Sequence, residues 1–260
     1  MLTRAIVKLV KSLQQKKFRR EHGLFVVEGG KSVQEVLASD WPVHSVYATE
    51  AYLPELSAGL RRRNLSAELV KATELAEMGS YEHNDTALAV LPVPPPGPIR
   101  LAEHDYALVL DDIRDPGNLG TIIRTADWFG IKQMVCSPET AELYNPKVIA
   151  ASMGSFLRVS VHYTGLSAFL AAHHERAIYG AFLDGSNIHQ LAFDPAGGLL
   201  VIGNEANGIS AEVAAHISQR MTISRFGQAE SLNAGIATAI VLDNWQRQRQ
   251  SISPGIRATH

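Results

Sequence analysis

A single cysteine, Cys136, occurs in 260 residues, so neither an intrachain disulfide framework nor a cysteine-built zinc site can form. It sits in the apolar stretch KQMVCS and reads as a core residue rather than a nucleophile. No apolar run approaches the roughly 20 residues of a membrane span. The N-terminus is basic but lacks the apolar core of a secretory signal. These absences predict a cytoplasmic protein without a membrane partner. A dominant charge is missing as well: 24 basic side chains stand against 26 acidic ones, so net charge selects no partner. The dinucleotide pattern G-x-G-x-x-G occurs nowhere, and the turn Gly203 to Gly208 lacks the lysine and Ser/Thr of a P-loop. Those two gaps argue against an ordinary nucleotide-binding dehydrogenase. No metal is expected.

What is present is a chain 46% hydrophobic, enough to build a real core. Apolar strand-like runs alternate with helical periodicity throughout, as in an α/β fold. Residues 4–17 read as one helix with Ile6, Leu9, Val10 and Leu13 inward, and a small α/β unit follows to residue 92. The stretch PVPPPGP (Pro92 to Pro98) then reads as a stiff linker. The expected layout is a first domain over 1–92, a Pro-rich linker over 93–103, a second domain over 104–250 and a disordered tail over 251–260. Several strands of the second domain are near-continuous apolar runs, the pattern of a parallel sheet covered on both faces. Charge is uneven along the chain. Residues 1–20 hold seven basic side chains and no acid, namely Arg4, Lys8, Lys11, Lys16, Lys17, Arg19 and Arg20, and Arg61, Arg62 and Arg63 form a second cluster. Either cluster alone suits a solvated helix face, whereas both in one small domain suit a polyanion surface.

Three turns in the second half share one grammar: apolar strand, Gly/Asn-rich turn, helix start. In DPGNLGTIIRTADWFG, Asp115 to Gly117 make a turn and Asn118 is placed to cap the helix. Arg124 follows about a turn and a half later, where a cation opposes the helix dipole. It either pairs with a carboxylate such as Asp111 or Asp112, or offers its planar fork to a phosphate or a reacting oxygen. In VIGNEANGIS, Gly203 ends a strand, Glu205 lies in the turn and Gly208 precedes a helix. In GQAESLNAGIATAIV, Ser231 sits at the predicted start of the last helix, with Asn233 two residues on and Gly235, Ala237 and Ala239 thinning it. Three such turns can converge at the C-terminal edge of a parallel sheet.

Together these stretches resemble the SpoU (TrmH-like) family of RNA 2′-O-ribose methyltransferases in the SPOUT superfamily. The likeness covers about Ala107 to Gln248. It rests on Asn118, Gly120, Arg124 and Ala126, then Gly203, Glu205 and Gly208, then Ser231, Leu232, Asn233 and Ala237. The first half, with HGLFVVEGGKSVQEVL, looks more loosely like the family's ribosomal-protein-like RNA-binding domain. One departure is Ala234-Gly235-Ile236, where relatives often carry Val-Ser-Val.

The resemblance implies a parallel-sheet domain closed by a deep trefoil knot, and a homodimer formed through that domain. It implies S-adenosylmethionine as cofactor, contacted by Gly203, Ile223 and Leu232 largely through backbone, with Asn204 and Ala237 beside them. Leu183, Asp184 and Gly185, in the loop expected after strand AIYGAFLDG, would add further contacts. The reaction implied is methyl transfer to a ribose 2′-hydroxyl, in ribosomal RNA sooner than transfer RNA. In it Arg124 would act on the hydroxyl and the target phosphate, Glu205 would hold the Arg124 fork, and Asn118, Ser231 and Asn233 would place the ribose. RNA binding would fall to Lys8, Lys11, Lys16, Lys17, Arg19, Arg20, Arg61 and Arg62, so that deleting residues 1–92 would leave cofactor binding intact. The alternative is a non-catalytic RNA-binding protein that keeps the knotted fold.

Overall fold

Apolar runs spaced by turn residues build two separate α/β units in the computed structural model, which describes residues 2–252 and the side chains of 2–249. The first unit comprises Met1–Pro95 together with Glu142–Leu157, and the second comprises Pro96–Ala141 and Arg158–His260.

In the first unit, strands β1 (Leu24–Glu28), β2 (Ser45–Ala48), β3 (Glu68–Leu69) and β4 (Ala87–Pro92) form a sheet ordered β1-β4-β2-β3. The helices are α1 (Arg4–Ser12), α2 (Lys16–His22), α3 (Gly30–Ala38), α4 (Leu53–Arg62) and α5 (Ala72–Met78). One sheet face buries Val26, Leu88 and Val90 against Val10, Leu13, Leu75 and Met78. The strands are apolar on their other face too, where Phe25 meets Trp41, Tyr144 and Phe156. Two of those partners come from the later segment that carries α7 (Pro146–Ser152), which packs on β1. By packing, then, 142–157 goes with the first unit although sequence order puts it inside 104–250. Deleting residues 1–92 would strip Tyr144 and Phe156 of Phe25 and Trp41, so that deletion does not isolate the second unit.

The expected helix over 4–17 is two helices. Leu13 is fully buried and Gln15 is extended, so α1 stops at Ser12. The carbonyls left open there, on Leu13 and Gln14, accept from Arg19 Nη1 at 2.9 and 2.8 Å. This break was hidden because no Gly or Pro marks it.

The second unit carries β5 (Tyr106–Leu110), β6 (Gln133–Cys136), β7 (Ser160–Tyr163), β8 (Ala177–Asn187), β9 (Gly198–Ile202) and β10 (Gln219–Thr222). They form one parallel sheet ordered β10-β8-β9-β5-β6-β7. Helices α6 (Pro116–Trp128), α8 (Leu166–Ala172), α9 (Ala211–Ala214) and α10 (Ala234–Ile252) cover it. Strands β5 and β9 are buried at every residue, as a sheet clad on both faces requires. Cys136 is wholly buried and its thiol is pushed up by desolvation, which fits a core residue. Helix α10 runs two residues into the stretch expected as a disordered tail, and the rest of that expectation lies outside the described residues.

Candidate active site

Strands β5 and β9 are parallel neighbours, so their C-terminal ends release two turns side by side. The first turn begins at Asp111, whose buried carboxylate accepts from Ser210 N at 2.7 Å. Asp112 follows with φ 60°, a left-handed conformation costly for a non-glycine residue. Its N–H donates to Ser137 Oγ and its carbonyl accepts from Asn204 Nδ2 at 2.8 Å. These partners hold the strained residue in place.

Helix α6 begins earlier than expected. Pro116 occupies its first position and Asp115 is the cap, accepting from Asn118 N at 2.8 Å. The Asp-Pro pair is the signal that identifies this start in the sequence. Because Asp115 caps, Asn118 lies inside the first turn and its side chain is free to reach elsewhere.

The second turn is built by Asn204. Its Oδ1 accepts from Ala206 N and Asn207 N, its Nδ2 binds Asp112, and its backbone pairs with Gly208 in both directions. Asn204 is therefore committed largely to the turn, with one amide hydrogen of Nδ2 left without a partner among the described residues. Gly203 is required by the same turn: a Cβ there would lie 2.3 Å from the Gly208 carbonyl carbon. What the turn presents is Glu205.

Glu205 Oε1 accepts from Asn118 Nδ2, Asn233 Nδ2 and Ala234 N, each at 2.8 Å. Asn233 Nδ2 is shared with Asn118 Oδ1 at 2.8 Å, while Asn233 Oδ1 accepts from Gly235 N and Ile236 N. A carboxylate only accepts and a backbone N–H only donates, so both amide orientations follow from their partners. Asn233 is thus the cap of α10, and the helix starts at Ala234 rather than at Ser231. Ser231 is exposed and its side chain makes no hydrogen bond among the described residues. Three turns separated by up to 115 residues are joined at one carboxylate oxygen. One amide hydrogen of Asn118 and Glu205 Oε2 remain to face a ligand.

Arg124 is exposed and makes no hydrogen bond or ion pair among the described residues. Asp111 is taken by Ser210, and Asp112 binds Arg114 at 2.6 Å, raising that guanidinium's pKa further. Glu205 does not hold Arg124 as expected: its Oε1 serves two amides and a helix N-terminus instead.

The residues expected to meet a cofactor differ in setting. Strand β8 continues to Asn187, and its register against β10 jumps from Arg220↔Gly180 to Met221↔Ser186. Leu183, Asp184 and Gly185 lie in that excursion, within the strand rather than after it. Asp184 pairs with Arg220 at 2.6 Å, Leu183 is 81% exposed, and a Cβ on Gly185 would lie 2.8 Å from the Arg220 carbonyl. Ile223 is half-buried at the end of β10, and Ala237 is half-buried in α10. From Ser224 to Leu232 the backbone makes no backbone–backbone hydrogen bond among the described residues.

The basic residues of the first unit also separate. Lys8, Lys11, Lys16, Lys17, Arg20 and Arg61 are exposed. Arg19 is 2% exposed and binds Glu142 through Nη2 at 2.6 Å and Nε at 3.3 Å, so it is a structural residue and offers nothing to RNA. Arg62 donates to Leu37 O, and Arg63 to Ser39 O and Trp41 O. Arg62 is therefore committed in part to the fold.

Residues 105–243 match the model of the SpoU rRNA Methylase family. The chain belongs to that family. Residues 4–89 match an MRM3-like substrate binding domain. Among SpoU relatives, the chain is 30% identical to the 23S rRNA (guanosine(2553)-2′-O)-methyltransferase RlmP of Bacillus subtilis, over 91% of this chain and 94% of that one. An AdoMet-bound rRNA methyltransferase from Sinorhizobium meliloti is 28% identical with a TM-score of 0.84, covering 95% of this chain and 96% of that one. The SpoU methyltransferase AviRb from Streptomyces viridochromogenes, in complex with AdoMet, is 26% identical with a TM-score of 0.81, covering 96% and 99%.

Proposed function

We propose that this SpoU protein transfers a methyl group from S-adenosylmethionine to a ribose 2′-hydroxyl of RNA, with ribosomal RNA as the substrate. The observation that carries the reading is the Asn118–Glu205–Asn233 junction, with Asn118 on the same helix as Arg124, which has no partner among the described residues. The similarity to RlmP and to two AdoMet-bound enzymes supports the substrate and the cofactor.

The chain fits such a cofactor. A nucleoside needs apolar walls for its base and main-chain groups for its edge. Leu183 and Leu232 are exposed apolar side chains, and the backbone of 224–232 has no backbone partner among the described residues, with Ala229 O alone accepting from a side chain, that of Arg225. Leu183, Gly185, Ile223 and Leu232 would hold the cofactor, with Gly203 and Ala237 keeping the turn and helix slim. S-adenosylmethionine supplies a methyl group already activated by its sulfonium.

The remaining difficulty lies in the nucleophile, a weakly acidic hydroxyl. A guanidinium offers donors and no acceptor, which argues against Arg124 as a simple base. Its empty fork is suited instead to orienting the target phosphate and stabilising the negative charge that develops on the attacking oxygen. The spare N–H of Asn118 would place the ribose. Glu205 is the anchor that keeps Asn118 and the α10 N-terminus in register. No role for Ser231 follows from its contacts, so it enters as a ribose contact by resemblance alone.

The reading extends to the architecture. The return of α10 to pack on α6 after edge strand β10 fits a trefoil knot, and the exposed Trp128, Leu183 and Phe226 fit a homodimer through this unit. The first unit would bind RNA through Lys8, Lys11, Lys16, Lys17, Arg20 and Arg61. The described residues contain no helix long and apolar enough to cross a membrane, which fits a cytoplasmic enzyme.

Radiolabelled S-adenosylmethionine incubated with RNA from cells lacking this gene tests the proposal. Label in a 2′-O-methyl nucleotide with wild type, lost at least ~100-fold with Arg124→Ala, is the expected result. Cofactor binding without any label in assembled or naked ribosomal RNA would turn the reading to a non-catalytic RNA-binding protein.

A further inference from the structure

Helices α6 and α10 carry the two asparagines of the junction, so their separation sets its geometry. Gly235 of α10 is one point of their contact. A Cβ built on Gly235 would lie 3.0 Å from Thr121 Cγ2 and 3.2 Å from Asn233 Oδ1. Both distances are tighter than nine in ten real Cβ contacts, so each neighbour would have to give by a few tenths of an ångström. Each neighbour belongs to the site. Asn233 Oδ1 is the cap that accepts from Gly235 N at 2.9 Å. Thr121 lies three residues after Asn118 and three before Arg124, between them on the helix surface. The Thr121 carbonyl also accepts from Thr125 Oγ1 at 2.9 Å.

We propose that Gly235 and the Thr121 γ-methyl act as a matched pair, a positioning contact that sets the approach of α6 to α10. Filling Gly235 pushes on Thr121, and α6 then carries Asn118 and Arg124 away from Asn233 and Glu205 together. Removing the Thr121 methyl makes room for the added carbon. The methyl and the missing Cβ are therefore exchangeable, although neither residue need touch the substrate. This inference rests on the proposed methyl transfer only for its kinetic readout.

The two possible roles of Gly235 differ in sign. If glycine served only the packing of the fold, alanine would lower thermal stability by crowding Thr121 and leave turnover per folded molecule unchanged. If glycine sets the site, alanine lowers turnover while thermal stability holds or rises.

The test compares wild type, Gly235→Ala and Gly235→Ala/Thr121→Ser. Gly235→Ala is expected to reduce kcat about five- to 30-fold with Tm not lowered, and with Kd for S-adenosylmethionine and KM for RNA within about twofold of wild type. The double variant, which loses the γ-methyl and keeps the hydroxyl, is expected to regain most of the turnover. Crystal structures of the three proteins give a readout independent of activity: the Asn118 Oδ1 to Asn233 Nδ2 contact lengthens from 2.8 Å in the single variant and closes again in the double one. Wild-type turnover with Gly235→Ala, a loss that Thr121→Ser does not relieve, or an unchanged asparagine contact would each overturn the pairing. Absence of methyl transfer by wild type would count against the proposed function, while the crystallographic arm would still decide the pairing.

Discussion

Arg19 and Arg124 are the same side chain in opposite conditions. Arg19 is buried in the first unit with its fork filled by Glu142, Leu13 O and Gln14 O. Arg124 stands exposed in the second unit with its fork empty among the described residues. A guanidinium whose donors are spent inside the protein is a fold element. One whose donors are unspent, on a helix that also enters a hydrogen-bonded junction, is available for an external anion. Sequence charge counts treat the two alike.

The sharpest way to break this comparison is to truncate both. Arg124→Ala is expected to cost at least ~100-fold in methyl transfer while leaving Tm within about a degree, because no intramolecular partner is lost. Arg19→Ala should do the reverse. It leaves Glu142 without its partner and two helix-end carbonyls without donors, a loss of about 3 kcal/mol by chemical denaturation. Activity per folded molecule should persist. A stability loss with Arg124→Ala as large as with Arg19→Ala would erase the distinction. Arg124→Lys refines it: if the planar fork is what matters, lysine should recover little of the lost rate.

Glu205 offers a smaller effect and a finer distinction. As an anchor it needs only an acceptor oxygen, so Glu205→Gln should retain the junction with weaker, uncharged bonds and lose a few-fold in kcat. Glu205→Ala leaves Asn118, Asn233 and Ala234 N without their common acceptor. It should lose about 10- to 100-fold, because misplacing a positioning group by about an ångström costs on that order. Equal and large losses for Gln and Ala would instead assign the carboxylate a direct part in the chemistry.

The pattern of what the sequence discloses follows from range. Strand and helix order in both units is legible because apolar periodicity is local, and the three turns announce themselves through Gly, Asn and Asp-Pro. The convergence of the first two turns is also foreseeable, since parallel strands deliver their C-terminal ends to one edge, whereas the third turn follows edge strand β10 and is brought in by the return of α10. Partner choice is not foreseeable. Glu205 is expected on Arg124, and its Oε1 is found on two asparagines and Ala234 N, partners that only the tertiary fold brings together. The start of α10 at Ala234 depends on where the Asn233 amide points, which the preceding Ser231 obscures. The packing of 142–157 on β1 depends on Phe25 meeting Tyr144 and Phe156, contacts that span more than 100 residues and leave no periodic trace.

The smallest effect concerns the exposed lysines. Deleting the first domain would mix RNA binding with the collapse of the Phe25–Tyr144–Phe156 cluster, so charge must be changed without touching the core. Lys8, Lys11, Lys16 and Lys17 are exposed, and the apolar face of α1 is carried by Val10 and its neighbours. Changing the four to Gln should leave Tm nearly unchanged. Each lysine that touches a phosphate should then reduce the slope of log K against log salt by about 0.7–0.9. The four together predict a change of up to about three in that slope, read by titrating RNA at several salt concentrations. Arg19→Ala, measured at a temperature where it stays folded, should leave the slope unaltered, since its charge is already neutralised by Glu142. A slope that responds to Arg19 but not to the lysines would mean that burial is no guide to which cations meet RNA in this protein.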